Sequence, residues 1–278
     1  VRCLFLPEMN GPNAIFATVA AVLLFAGGCD LVEYHPYDTR ITGRTGINAA
    51  NARRIDEACA GRRSIRFALV SDTQRWYDHT RDAVASINSL EGIDFVIHCG
   101  DLSDFGATKE FLWQRDILEG LRVPYVCLLG NHDCLGTGEE VFAEVFGPPD
   151  FAFTAGPVRF VCLNTNAMEF DYSRPVPDFG FIGRELEHFP SGVGRTVFAM
   201  HVQPGEFQFN NNVGRVFEWY LNQFPGLECC LFGHGHHMAA LDLFGDGVMW
   251  YAVSSIEKRQ YLVFTVDEQG HAYETVDF

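Results

Sequence analysis

From residue 64 onward, short apolar runs alternate with amphipathic segments. Ile65–Val70, Phe95–Cys99 and Tyr125–Leu129 have the length and composition of buried strands. Between them, Thr80–Leu90 (TRDAVASINSL) and Thr108–Leu118 carry apolar residues at helical spacing, with Thr80 placed as an N-cap. Glu139–Phe146 predicts a short helix. Further strands are predicted at Phe151–Thr154, Val158–Leu163, Thr196–Met200 and Leu227–Phe232. The last third is mostly β, with runs at Val248–Ser254, Tyr261–Val266 and Ala272–Val276. This is an α/β pattern with a β-rich end, consistent with two stacked sheets flanked by helices.

Polar motifs fall immediately after these strands, where α/β sheets gather their loops into one crevice. Asp72 follows the first strand, Asp101 the second and Asn131 the third, at spacings suited to strand–helix–strand units. His201 and His234 follow two later strands. Taken singly, Asp72, Asp101 and Asn131 are equally suited to capping the next helix, and His201 to a place in the core. Capping does not explain the His234-Gly235-His236 pair, nor why five strand ends all carry metal-ligand side chains. Carboxylates, imidazoles and an amide oxygen together suit divalent metals of intermediate hardness. Asp101, central in the order, is the candidate to bridge two cations.

Composition narrows the partners. A net charge of −16 argues against a nucleic-acid partner, and it requires a local positive centre to draw in an anionic substrate. Hydrophobic residues at 47% supply a sizeable core. Residues 1–28 read as a leader: Ala14–Gly28 is nearly free of polar groups, too short to span a membrane comfortably, and ends in Ala26-Gly27-Gly28-Cys29. Small residues before a cysteine resemble a bacterial lipoprotein signal, although Ala26 stands where Leu is usual. The alternative is an N-terminal helix packed in the domain. The resemblance implies cleavage before Cys29, lipidation of its thiol, and a membrane-anchored protein of the cell envelope facing the periplasm or exterior. Residues 29–63 form a polar preface whose helix-like part, Asn51–Ala60, is expected at the domain edge, and residues 64–278 form the domain. The remaining cysteines, Cys59, Cys99, Cys127, Cys134, Cys162, Cys229 and Cys230, show no zinc-ribbon or disulfide spacing.

Five segments carry the chemistry: Ser71-Asp72-Thr73-Gln74, Gly100-Asp101-Leu102-Ser103-Asp104, Gly130-Asn131-His132-Asp133, Met200-His201 and Gly233-His234-Gly235-His236. In this order they resemble the calcineurin-like metallophosphoesterase pattern D-x-H, G-D-x-x-D, G-N-H-[DE], H and G-H-x-H. Any one of them is weak, whereas all five together are specific. The resemblance implies a four-layer α-β-β-α sandwich of two mixed sheets and two divalent metal ions. One ion would take Asp72, Gln74, Asp101 and His236, the other Asp101, Asn131, His201 and His234, together holding a hydroxide for in-line attack on phosphorus. It also implies that His132 acts as general acid on the leaving group, with Asp104 orienting its ring; Asp133 is expected to brace the loop. Gln74 replaces the commoner histidine. Its harder amide oxygen favours Mn²⁺, with Fe²⁺, Mg²⁺ or Zn²⁺ as alternatives. Such D-x-Q variants occur among enzymes resembling Mn²⁺-dependent diphosphatases.

Arg75, Trp76 and Tyr77 are candidate substrate contacts, with ordinary surface residues as the alternative. The implied activity is hydrolysis of a phosphomonoester, phosphodiester or pyrophosphate bond in a phosphorylated small molecule. A non-catalytic binding or scaffold protein that keeps the fold is the alternative; retention of His132 and the ligands speaks against it.

Overall fold

Alternation along the strands sets the layers. In β1 (Ile65–Val70), Ile65, Phe67 and Leu69 enter one apolar cluster while Ala68 and Val70 enter another on the opposite face. β6 (Arg195–Met200) does the same, with Val197 and Ala199 on the shared face and Phe198 and Met200 on the other. Each strand is therefore buried on both sides, and the chain stacks as helices, sheet, sheet, helices. The computed structural model describes residue 35, residues 37–171 and residues 174–278, of which Thr39–Phe278 cluster as one unit. The apolar leader and Cys29 lie outside the described residues.

The first sheet has the order β11 (Gly270–Asp277), β10 (Gln260–Asp267), β1, β2 (Phe95–His98), β3 (Tyr125–Cys127). Its last three strands run parallel, and β10 and β11 join antiparallel. The second has the order β4 (Phe151–Ala155), β5 (Val158–Leu163), β6, β7 (Leu227–Phe232), β9 (Met249–Ala252), β8 (Ala239–Asp242). There β5, β6, β7 and β9 are parallel, with antiparallel strands at both edges. Both sheets are mixed. Phenylalanines fill the space between them: Phe67 stacks on Phe95 at 5.1 Å and meets Phe160 of the facing sheet edge-on at 5.3 Å. A polar chain also joins the sheets, since Tyr251 and Glu228 of the second contact His271 of the first at 2.7 and 2.6 Å.

The outer layers differ from the expected boundaries in instructive places. α2 (Tyr77–Ser89) begins a turn before Thr80, which is not its cap; the Thr80 hydroxyl donates back to the Trp76 carbonyl at 2.8 Å. α3 (Thr108–Leu118) and α4 (Gly138–Val145) lie close to expectation. α5 (Phe179–Glu187) and α6 (Gly214–Leu221) carry no such expectation. Their short, glycine-containing sequences have weak propensity and are held by packing against the second sheet.

α1 (Ile47–Cys59) packs against β3 and β4, the edge strands on one side of the sandwich. Asn48 takes the place of a neighbouring strand, its Nδ2 donating to the Cys127 carbonyl at 2.8 Å and its Oδ1 accepting from the Cys127 amide at 2.9 Å. Asn51 Nδ2 donates to the Tyr125 carbonyl at 2.7 Å. The edge is thus sealed against further pairing. Asn48→Ala leaves two buried backbone groups unpaired, each worth about 1–3 kcal/mol. Denaturant unfolding of this variant is expected to show at least about 2 kcal/mol of lost stability; a change within about 0.5 kcal/mol would mean that water replaces the amide.

Candidate metal centre

The parallel strands of both sheets deliver the five motifs to one place. Asp72 leaves β1, Asp101 follows β2, Asn131 follows β3, His201 follows β6, and His234 and His236 follow β7. Asp72, Asp101 and His201 are buried, and ligand atoms from the three lie within 4.8 Å of one another. None of Asp72, Asp101 or Asn131 caps a helix through its side chain, so the bland reading of these residues fails.

The atoms fall into two groups with Asp101 between them. On one side, Asn131 Oδ1 is 3.1 Å from His201 Nε2 and 3.0 Å from His234 Nδ1, while Asp101 Oδ1 is 3.4 Å from the same His201 nitrogen. On the other, Asp101 Oδ2 faces the Gln74 amide at 3.3 Å, and Asp72 Oδ1 is 3.1 Å from His236 Nε2. The structure thus brings together the side chains that the sequence grouped, Asn131, His201 and His234 on one side of Asp101 and Asp72, Gln74 and His236 on the other. His201 Nδ1 donates to the Cys99 carbonyl at 2.6 Å, which fixes the ring and leaves Nε2 for the centre.

Close approach is built into the backbone. A Cβ on Gly130 would fall 2.1 Å from the Asp101 amide nitrogen and carboxylate, and one on Gly233 would fall 2.1 Å from Ser71 Oγ. Asp72, Arg75, Asp101, His234 and His236 all adopt positive φ, between 53° and 65°. Each such residue costs on the order of 1–3 kcal/mol, and strain of this kind gathers at functional sites. Asp133 braces the strand ends as expected: its carboxylate accepts from the Leu102, Ser103 and Gly130 amides and the Ser103 hydroxyl at 2.8–3.2 Å.

Buried supports add residues that the motifs do not show. His98 Nδ1 accepts from the Gly100 amide at 3.2 Å, and its Nε2 meets Thr73 Oγ1 at 2.8 Å. Burial pulls its pKa to about 4, keeping it a neutral link between two motif loops. Gln114 donates to the Thr73 carbonyl at 2.6 Å and the Ser255 hydroxyl to the Asp72 carbonyl at 3.0 Å. Ser255 follows β9 and so obeys the strand-end rule; Gln114 is a polar residue on a buried helix face.

The electrostatics favour a cation. Burial opposes the His201 imidazolium, yet the Asp101 and Asp72 carboxylates outweigh burial and hold its pKa up at about 9. Burial would raise the Asp101 carboxyl, but the His201 charge holds it below the usual carboxylate range. His236 is raised by its contact with Asp72, and His234 is lowered by burial and by His201. Asp72 Oδ1 and Gln74 Oε1 are buried and make no aligned hydrogen bond. Two buried carboxylates, two amides and three imidazoles, with the buried Gln74 oxygen left without a hydrogen bond among them, fit divalent metal ions.

At the rim, His132 Nδ1 donates to the Asp104 backbone carbonyl at 2.9 Å, while the Asp104 carboxylate lies 3.7 Å away. The ring's hydrogen bond thus goes to the main chain of Asp104, while the side chain that the sequence indicated lies within ion-pair distance of the same nitrogen. That carboxylate is paired with Arg75. Trp76 stacks on His79 at 5.2 Å and Tyr77 meets Trp113 edge-on at 5.5 Å, both packed beside the helix cluster. Of the three candidate substrate contacts, Arg75 pairs through its side chain with the site residue Asp104.

Comparison with known proteins gives the same direction. The sequence profile of the calcineurin-like phosphoesterase family matches residues 65–238. A 3',5'-cyclic-nucleotide phosphodiesterase of Nostoc is 24% identical over 184 residues, 60% of this chain and 67% of the relative. A dimetal phosphatase from Danio rerio superposes with a TM-score of 0.57 at 13% identity, over 77% of this chain and 99% of that one. Purple acid phosphatase from yellow lupin superposes with a TM-score of 0.60 at 14% identity, over 78% of this chain and 52% of the other. At such identities the structural matches show a shared fold.

A cation taken by His201 Nε2 would need the neutral ring, so its uptake at pH 7 would expel the proton that Asp101 and Asp72 hold there against burial. Calorimetric titration with Mn²⁺ in buffers of different ionisation enthalpy is expected to report release of at least one proton per chain. Apparent affinity should weaken about tenfold per pH unit below the His201 pKa. A binding heat independent of buffer would contradict this.

Proposed function

We propose that the chain, which belongs to the calcineurin-like phosphoesterase family, is a metal-dependent hydrolase of a phosphoester bond in a small phosphorylated molecule. The observation that carries this reading is Asp101, whose Oδ1 lies 3.4 Å from His201 Nε2 while its Oδ2 accepts from the Gln74 amide nitrogen at 3.3 Å, so that its two oxygens face different expected ligand residues. Asp72, Gln74, Asp101 and His236 would hold one cation, and Asp101, Asn131, His201 and His234 the other. Bound there, divalent cations supply positive charge for a phosphoryl group and acidity for water. The Gln74 oxygen supports Mn²⁺ as the favoured ion.

The remaining steps belong to the protein. His132 is only partly buried, its Nδ1–H is committed to the Asp104 carbonyl, and Nε2 has no partner among the described residues. As the imidazolium, it presents a proton at Nε2 to the departing oxygen. Its main chain is tied to the centre, because the His132 amide donates to Asp101 Oδ1 at 3.0 Å. The acid therefore keeps its place relative to the bridging carboxylate. Retention of this acid beside a complete ligand set supports a hydrolase over a binding protein that has kept the fold.

General acid catalysis contributes about 10²–10⁴-fold, so His132→Ala should lower kcat on that scale with metal content unchanged. The loss should be small for p-nitrophenyl esters, whose phenolate departs without a proton, and large for alkyl esters. Asp104→Asn keeps the carbonyl contact and should show the same trend more weakly. The measurement is the slope of log rate against leaving-group pKa across monoesters, diesters and cyclic nucleotides. Equal slopes for wild type and His132→Ala would remove His132 from this role.

A further inference from the structure

Arg75 and His132 meet on one carboxylate. The Arg75 Nη2 pairs with Asp104 Oδ1, and the same oxygen lies 3.7 Å from His132 Nδ1. A guanidinium bonded to that oxygen sits within about two hydrogen-bond lengths, roughly 6 Å, of the His132 ring. The position is deliberate in the backbone: Arg75 directly follows Gln74 and holds φ 61°, a left-handed conformation that an arginine does not adopt without constraint. Its side chain remains 59% exposed, while that of Asp104 is 12% exposed. Arg75 is thus a largely exposed cation held through its pair with Asp104, next in sequence to the expected ligand Gln74. Among the described residues Nη2 alone bonds Asp104, so Nη1 and Nε keep donors to offer.

We propose that Arg75 binds an oxyanion carried by the leaving group, so that the preferred substrates are phosphoesters whose departing alcohol bears a carboxylate or a second phosphate. The assignment rests on the phosphoesterase reading, because His132 defines the leaving-group side and Arg75 shares its carboxylate. Cations at the metal centre would serve the transferred phosphoryl group, so a second anion on the leaving group needs a cation of its own on the His132 side. Arg75 supplies that cation, and its planar fork suits two oxygens of one anion. The chemical step is unchanged. Water adds to phosphorus, keeping one hydrogen on the new phosphate and giving the other to solvent; the bond from phosphorus to the leaving oxygen breaks, the His132 proton goes to that oxygen and is replaced from solvent, and the alcohol with its second anion then dissociates from Arg75.

Three substrates isolate the effect: glycerol 3-phosphate, whose leaving group is neutral, 3-phosphoglycerate, which adds a carboxylate, and glycerol 1,3-bisphosphate, which adds a phosphate. With Mn²⁺ saturating, the ratio of kcat/KM for each charged substrate to that for glycerol 3-phosphate is measured in wild type, Arg75→Ala and Arg75→Lys. Binding of the corresponding non-hydrolysable phosphonates is measured in parallel. A charge-assisted contact predicts a wild-type ratio of about tenfold or more for at least one anion, and the larger ratio identifies which. The ratio should fall to about one in Arg75→Ala and stay intermediate in Arg75→Lys, with matching changes in phosphonate affinity. A wild-type ratio near one, or a ratio that survives Arg75→Ala, would overturn the assignment. Arg75-dependent phosphonate binding without turnover of any substrate would uphold the anion site and refute the hydrolase reading, whereas equal turnover of all three would do the reverse.

Discussion

Two carboxylates, Asp72 and Asp101, are buried side by side at the ends of adjacent parallel strands, and that constraint organises the rest of the site. Taking a charge out of water costs several kcal/mol unless it is compensated, and two like charges raise the cost further. The protein itself compensates only in part. His201 takes up a proton between them, and main-chain amides of His132 and His234 donate to them. The remainder is left to a bound cation. The arrangement is stable in a protein only because the surrounding sandwich is rigid enough to hold it.

That rigidity comes from strands buried on both faces. The aromatic layer between the sheets and the helices outside them fix where each parallel strand ends, so the loops that follow can be short and strained. Five left-handed, non-glycine residues at one crevice are tolerated because glycines opposite them admit close contact and because Asp133, His98, Gln114 and Ser255 tie the loops from behind. The same economy appears at the sheet edge, where Asn48 and Asn51 replace a missing strand.

The layering and the gathering of the polar motif residues at one crevice were legible in the sequence for one physical reason. Parallel strands covered on both sides read as continuous apolar runs, and a polar metal ligand directly after such a run stands out. Elements held mainly by tertiary packing were not legible. α5 and α6 are short and contain glycine, β8 is largely exposed, and the start of α2 is fixed by the turn from β1 and not by Thr80. Main-chain partners were equally hidden. A spacing rule marks Asp104 beside His132, yet it is the Asp104 carbonyl that holds the ring and Arg75 that occupies the carboxylate. His98 reads as an ordinary strand residue because its function is a backbone contact to Gly100.

The bridging position of Asp101 is tested most directly by counting metal ions per chain after Mn²⁺ loading and removal of free metal. Asp101 serving both ligand groups predicts two ions in wild type and the loss of both in Asp101→Asn, with Asp133→Asn as a control for the brace beside it. A wild-type chain that retains one ion or none, or an Asp101→Asn chain that retains two, would contradict it.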